Sequence, residues 1–351
     1  MNLTIPLLQK AALIDNPGEN ASILVRSDVP VGTPGPHEVL VKITYTGVCG
    51  SEIRALSGWG SYNPVVGHEG VGTVVKLGDS VNDSMLGTTV GIKWLHSACG
   101  LCAACKAGFS NNCPDQVNTG RHVPGTLQQY AVADSRYITQ LSDDLPGEVV
   151  APLLCAGLTM AGAVCKLDDH LAPGDWVIVS GAGGGLGHMG VQIASRLKHL
   201  RVIAVDSGPA KRKLSLECGA EEFIDFITEQ VEEKVKNLTG EGAAAIIVTA
   251  GSEAAFALAP SLVRNMGTIV SVGLPRNDFN IPIAASICSA RALSFIGVAI
   301  GSEAQMRWLL HHVAQKTIYP SIKVVDFNDI ETVFEDLKEQ SVVGRVVVKM
   351  P

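Results

Sequence analysis

Positive charge is scarce in this sequence: 27 Lys and Arg stand against 34 Asp and Glu, a formal net charge of −7 over 351 residues. Without any basic run, a nucleic acid or an anionic membrane surface is a poor partner, and a small molecule is a better one. Uninterrupted apolar runs of membrane-spanning length are also missing. The most apolar stretch, "AAAIIVTAGSEAAFALAPSLV", is broken by Gly251, Glu253 and Pro260. The first residues, "MNLTIPLLQKAALIDN", lack the basic start, apolar run and small-residue cleavage site of a secretory signal. These absences predict a cytoplasmic protein with neither membrane nor nucleic-acid contacts. There are no internal repeats and no low-complexity segments, and 46% of the residues are hydrophobic. Length then points to about two globular domains.

Cysteine is sparse except in one place. Of nine cysteines, four fall within "CGLCAACKAGFSNNCP": Cys99, Cys102, Cys105 and Cys113. An odd total in a reducing compartment argues against disulfides. An iron–sulfur cluster and a structural zinc both remain open on composition alone.

The chain changes character twice. Up to about residue 150 it is rich in Gly, Pro and short β-branched runs such as "HEVLVKITYTGV" and "VGTVVKLG", a pattern that predicts an antiparallel β-rich unit without a long helix. From Asp175 the order becomes apolar strand, glycine turn, helix, apolar strand, with "AAAIIVTAG" and "GTIVSVGLP" as further buried strands. The tail carries an amphipathic helix, "DIETVFEDLKEQ", and a final strand, "GRVVVKM".

The glycine turn "GAGGGLG" reads G-x-x-G-x-x-G through Gly181, Gly184 and Gly187, with Gly185 and Leu186 between them. It follows the strand "WVIVS", opens a helix, and precedes a second strand that ends in Asp206. Glycines there allow a tight turn and a close backbone approach to a pyrophosphate, with the helix amides free to bind it. A carboxylate at the end of the second strand accepts hydrogen bonds from an adenosine ribose and repels a 2′-phosphate, which favours NAD over NADP.

A scattered set offers different chemistry: Cys49 in "GVCGSE", His68 and Glu69 in "VVGHEGVG", and Cys155 in "LLCAGLT". Separately, a buried cysteine is a small hydrophobe and a lone histidine a hydrogen-bonded filler. Together, two thiolates and an imidazole form the Cys₂His set suited to a catalytic zinc with one open position.

"CGSE", "GHEGVG", "GIKWLHSACGLCAACKAGFSNNCP", "LQQY", "LLCAGLT", "SGAGGGLG" and "VVGRVVV" occur in this order over nearly the whole chain. In this the sequence resembles the zinc-dependent medium-chain alcohol dehydrogenases, closest to their yeast-type, fungal branch. The resemblance implies an α/β protein: a GroES-like β-rich catalytic domain built from residues 1–155 and 296–351, with a structural zinc lobe at about 94–114. It places a Rossmann domain with a doubly wound parallel sheet at 156–295. The four clustered cysteines then match the zinc lobe, and the seven residues before Cys113 set it apart from the bacterial ferredoxin run, which has three.

Residue by residue, the resemblance implies catalytic zinc ligands at Cys49, His68 and Cys155, with Glu69 as the acid that approaches the metal when the fourth ligand exchanges. Ser51 matches the hydroxyl that bonds the alcohol and starts a proton relay. Thr159 matches a threonine beside the nicotinamide, Lys211 a lysine at the ribose, and Arg345 an arginine at the pyrophosphate. Without the resemblance, Lys211 in "PAKRK" reads as a solvated charge and Arg345 as a surface residue. Three positions depart from the pattern: Gly50 where a His or Arg is common, Glu52 where an Asp is usual, and Arg54 where many members have the terminal relay histidine. Trp59 and Trp94 give the expected pocket aromatic walls.

The implied activity is reversible hydride transfer between a primary or secondary alcohol and NAD, with two zinc ions per chain and a homo-oligomer, tetrameric or dimeric. The alternatives are a reductase of a specialised carbonyl in a biosynthetic pathway and a non-enzymatic dinucleotide-binding protein. Retention of Cys49, His68, Cys155 and Ser51 weighs against the second.

Overall fold

Val39, Val41 and Ile43 are wholly or almost wholly buried, in a strand, Glu38–Val48, that takes neighbours on both sides. The computed structural model describes residues 4–276 and 278–351. This strand is central to a seven-stranded sheet, pairing antiparallel with Gly70–Leu77, Tyr130–Asp134 and Arg345–Lys349. Thr89–Ile92 and Thr139–Gln140 extend the sheet on one side, and Ile322–Asp326 pairs parallel with Arg345–Lys349 on the other. Residues from both ends of the chain therefore share one sheet and one core, in which Phe327 and Ile330 are fully buried beside Val39 and Val41.

Register decides which residues meet at the end of that sheet. Val48 pairs with Val346, and Thr46 with Gly70. Because both neighbours run antiparallel to Glu38–Val48, Cys49 emerges where Arg345 begins one strand and where His68 and Glu69 lead into the other. Helices in this part are short. Gly50–Leu56 follows the central strand directly, and the amphipathic stretch near the C-terminus forms the helix Ile330–Lys338.

Near-continuous apolar runs form the second sheet, as expected for parallel strands covered on both faces. Its six strands lie in the order Glu222–Asp225, Arg201–Asp206, Trp176–Ser180, Ala243–Val248, Val263–Ser271, Ser294–Gly297, and every pairing is parallel. Numbered along the chain, this is the 3-2-1-4-5-6 order of a doubly wound fold, and strand order reverses beside Trp176–Ser180, the position that precedes the glycine turn. Ile178, Ile203, Ile246, Phe256 and Ile269 fill the core. All residues from Ala156 to Val164 of the helix Ala156–Cys165 are buried. Among the described residues no single helix is long and apolar enough to cross a membrane.

The chain divides into residues 1–155, 302–314 and 322–351 in one unit and 156–301 with 315–321 in the other. A boundary at 295 falls inside the strand Ser294–Gly297, which is hydrogen-bonded to Val263–Ser271 and so keeps the chain in the second unit until Gly301. Residues 315–321 return to that unit before the tail resumes the first sheet, a detour that no composition change in the sequence marks.

Candidate functional site

Cys49 is the N-cap of the helix Gly50–Leu56, and Glu52 occupies its N3 position. Glu52, 3% exposed, divides its carboxylate between two tasks. Oε2 accepts the Cys49 backbone N–H at 2.6 Å, the reach-back half of a capping box, and Oε1 lies 3.0 Å from His68 Nδ1. With Nδ1 engaged there, His68 turns Nε2 toward Cys155 Sγ at 3.2 Å. Cys49 Sγ is 3.8 Å from Cys155 Sγ. The donor atoms of Cys49, His68, Glu69 and Cys155 all lie within 4.8 Å of one another. Cys155 follows the 3₁₀ turn Ala151–Leu154, whose residues are all fully buried.

The electrostatics of this cluster are those of a site arranged for a cation. The Cys155 thiol beside it holds the Cys49 thiol well below the usual range against the cost of burial, with His68 and Arg345 adding to the effect. Cys155 is pushed up by the thiolate of Cys49 and by burial. Burial opposes charge on His68, yet Glu52 and Cys49 raise it well above the usual imidazole value. A cation bound to the sulfurs would displace the Nε2 proton, and an imidazole with its far nitrogen on a carboxylate, facing two sulfurs, matches the donor set and orienting shell of a zinc ligand. Trp94 closes one side, its ring edge-on to His68 with centroids 5.0 Å apart.

Glu69 is fully buried, and burial pushes its carboxyl up to about 7 against the pull of Arg345. Gly47 makes room for it: a Cβ there would lie 1.9 Å from Glu69 Oε2. Arg345 donates from Nη2 to Glu69 Oε1. Glu69 Oε2 and Arg345 Nε have no hydrogen-bond partner among the described residues. Arg345 is 5% exposed, so the surface reading of this residue is wrong, and the acid it bonds is Glu69. Ser51 is half-buried, with Oγ 3.5 Å from Glu52 Oε1. The guanidinium of Arg54 lies 5.7 Å from the Trp59 ring centroid.

Cys99, Cys102, Cys105 and Cys113 likewise have their sulfurs within 4.8 Å of one another. Backbone N–H groups point at three of those sulfurs: Cys99 N at Cys113 Sγ (3.5 Å), Cys102 N at Cys99 Sγ (3.4 Å) and Cys105 N at Cys102 Sγ (3.5 Å). Such contacts favour the thiolate, and the amides of Leu101 and Cys102 bring the Cys99 thiol down to about 7. All nine cysteines are free of disulfides. Four thiolates suit a closed tetrahedral zinc, whereas the Cys49, His68, Cys155 set leaves a position to exchange.

In the second unit the glycine turn runs from the strand Trp176–Ser180 into the helix Gly187–Gln192. Gly187 permits the close packing: a Cβ there would lie 2.1 Å from the Gly181 carbonyl oxygen. Gly184, Gly185 and Leu186 are half-buried, and the N–H groups of Gly185 and Leu186 donate to no backbone carbonyl among the described residues. Asp206, 5% exposed, accepts from the Gly183 N–H at 2.9 Å and from the Ser207 N–H at 2.8 Å. Lys211 Nζ sits 3.3 Å from Asp206 Oδ1. Gly183, which sequence reasoning missed, has two functions: its amide anchors Asp206, and a Cβ there would meet Lys211 Cβ at 2.4 Å. Thr159 lies one turn into the helix Ala156–Cys165 and is 8% exposed.

Two family profiles match the chain: one described as an alcohol dehydrogenase GroES-like domain over residues 35–143, the other as a zinc-binding dehydrogenase over residues 185–315. The chain is 38% identical over 371 residues to alcohol dehydrogenase 2 of Emericella nidulans, covering 99% of this chain and 98% of that one. It is 35% identical to an alcohol dehydrogenase of Schizosaccharomyces pombe, with 99% of each chain covered. The crystal structure of the alcohol dehydrogenase from the hyperthermophilic archaeon Aeropyrum pernix superposes with a TM-score of 0.88 at 27% identity, over 97% of this chain and 100% of that one.

The difference between the two clusters has a measurable consequence. Protein isolated with its metal should contain two zinc ions per chain, and dialysis against a chelator should release the ion of the open Cys₂His set, with activity, before that of the four-cysteine set. Metal analysis finding iron, or both ions leaving at one rate, would contradict the assignment.

Proposed function

This chain belongs to the zinc-dependent medium-chain alcohol dehydrogenases, and from that premise we propose that it interconverts an alcohol and its aldehyde or ketone by reversible hydride transfer with NAD. The convergence of Cys49, His68 and Cys155 on one point, with Glu52 behind His68, is the observation that carries this reading. When bound, zinc supplies Lewis-acid polarisation of the alcohol or carbonyl oxygen and NAD supplies the hydride acceptor.

The chain's own groups have separable tasks. Cys49, His68 and Cys155 hold the catalytic ion, and the four cysteines from Cys99 to Cys113 hold the structural one. Ser51 Oγ takes the substrate's hydroxyl proton as it releases its own. A guanidinium only donates hydrogen bonds and has no acceptor, so Arg54 cannot serve as a base, and in this chain the proton passes on to solvent without a histidine at that position. Trp94, and Trp59 with Arg54 near its ring, form walls that limit the size of the substrate. In the second unit, the Gly185 and Leu186 amides face the cofactor's phosphates. Asp206 and Lys211 take the adenosine ribose, and Thr159 lies at the nicotinamide.

The substrate is a small alcohol or carbonyl compound. A reducing cytoplasm suits thiols gathered into two ligand sets. We further assign a homo-oligomer, a tetramer ahead of a dimer. Among the described residues the strand Ser294–Gly297 ends its sheet with an unpaired edge, Phe295 is 42% exposed, and no residue of the adjoining helix Ala285–Arg291 is buried. An exposed edge of this kind is a template for pairing with another chain.

Two measurements test this section. NADH formation over a panel of primary and secondary alcohols should be zinc-dependent and should prefer NAD. Asp206→Gly should narrow the NAD/NADP ratio of kcat/KM by about tenfold or more, through loss of the ribose contact and of repulsion toward a 2′-phosphate. A wild type preferring NADP, or an unchanged ratio, would refute the role of Asp206. Sedimentation should show an oligomer that Phe295→Lys shifts toward smaller species, and a monomeric wild type would overturn the assembly.

A further inference from the structure

The helix that carries the glycine turn presents a buried polar stripe that the site described above does not use. His188 is fully buried and Gln192 is 2% exposed. His188 Nδ1 lies 2.9 Å from the Gly184 carbonyl oxygen, and the Ser321 N–H reaches Nε2 at 3.2 Å. A backbone N–H only donates, so Nε2 is the unprotonated acceptor and Nδ1 bears the proton given to Gly184. The two contacts together select one neutral tautomer. One turn later, Gln192 pairs with both backbone groups of Tyr319, donating to its carbonyl at 2.9 Å and accepting from its N–H at 2.9 Å. Arg196 continues the series, donating to the Thr317 carbonyl at 3.3 Å and to Gln192 Oε1 at 3.1 Å.

The pattern is a register. Residues 188 and 192 of the helix Gly187–Gln192, with the exposed Arg196 in the π-helical turn Ile193–Leu197 that continues it, engage residues 321, 319 and 317, a segment 127 residues away at its central contact. Four residues of α-helix and two residues of extended chain both advance by about 6 to 7 Å, so His188 and Gln192 can match residues 321 and 319, before the bend at 317 and 318. Pro320, between two of the contacts, has no N–H to satisfy. The stripe supplies side-chain partners where an extended segment would otherwise take them from a neighbouring strand.

This register bears on the turn through Gly184, whose carbonyl accepts from both the N–H and the Nδ1–H of His188. In a trans peptide the following N–H points opposite to the carbonyl, so holding Gly184 C=O toward His188 fixes the direction of the Gly185 N–H. The Gly185 N–H donates to no backbone carbonyl among the described residues. We propose that His188, Gln192 and Arg196 are positioning residues that latch the segment 317–321 to the helix and thereby hold the turn amides in the aim that binds the dinucleotide phosphates. This inference rests on the reading of the turn as the NAD site. Segment order and cofactor affinity are then two sides of one coupling, and each must influence the other.

The test uses the zinc-loaded, full-length enzyme and NADH, whose fluorescence reports binding. His188→Ala should raise the NADH Kd and the KM for NAD by about tenfold, because it strips the donor from the Gly184 carbonyl and the acceptor from the Ser321 N–H, both half-buried. The alcohol KM should be unchanged, and kcat at saturating NAD should not fall. His188→Asn, whose amide nitrogen can replace Nδ1 at Gly184, should recover most of the lost affinity. Gln192→Met touches no turn residue, yet it should also weaken NADH and speed hydrogen exchange across residues 317–321. NADH should slow that exchange in wild type. Folded variants with wild-type NADH affinity would overturn the proposal, as would equal losses in the alcohol KM, kcat and NADH affinity. If His188→Ala does not fold, His188→Asn and Gln192→Met decide alone. A wild type that binds no NADH would instead refute the NAD reading of the turn.

Discussion

One carboxylate sets the geometry on which the rest of the first unit depends. Glu52 bonds the Cys49 amide with one oxygen and His68 Nδ1 with the other, and it does so from a buried position where neither contact competes with water. The first bond fixes where the helix Gly50–Leu56 starts, and so where Cys49 presents its sulfur. The second fixes which nitrogen of His68 faces the two thiols. The sheet brings the strand ends together, but without Glu52 the histidine could turn or change tautomer, and the donor set would lose its imidazole.

The second unit repeats this device with different residues. Asp206 binds the amides of Gly183 and Ser207, tying the glycine turn to the end of the neighbouring strand, and Lys211 balances its charge. In both units a buried carboxylate organises backbone amides and a basic side chain around the place where a ligand would bind. The Glu69–Arg345 pair differs from both. It is buried beside the thiols with Glu69 Oε2 and Arg345 Nε unpartnered among the described residues, an arrangement of little value to stability, since desolvation offsets the attraction of such a pair. Its position beside Cys49 fits a role in balancing charge at the cation site.

The parts legible in the sequence were those whose chemistry is carried by residue type and short spacing. The four cysteines from Cys99 to Cys113 and the turn from Gly181 to Gly187 are of this kind, because the covalent chain itself brings them together. Cys49, His68 and Cys155 could be grouped by ligand chemistry, but only the family resemblance implied that they converge, since their meeting depends on strand register and on a turn at Ala151–Leu154. Glu52 looked like a departure because it is one carbon longer than the usual Asp, yet its reach still spans Cys49 and His68. Without the resemblance Arg345 read as a surface residue, because a strand-start arginine carries no sign of the buried acid awaiting it. The stripe of His188, Gln192 and Arg196 was invisible for a related reason: its partners are backbone groups at 317–321, and no residue type there signals the pairing. The strand Ser294–Gly297 carries the second unit past 295, and being only four residues long and half-exposed it gave no sign of a sixth strand in the sequence.

Glu52→Gln measures the central claim most directly. The amide can offer its oxygen to Cys49 N–H or to His68 Nδ1–H but not to both, so one of the two constraints must fail. Titration of the apoenzyme with zinc against a chromophoric chelator should show the catalytic site weakened by about 10- to 100-fold, the range for loss of an orienting carboxylate. The four-cysteine site should bind as in wild type. Wild-type affinity at both sites would contradict the claim that Glu52 builds the metal centre.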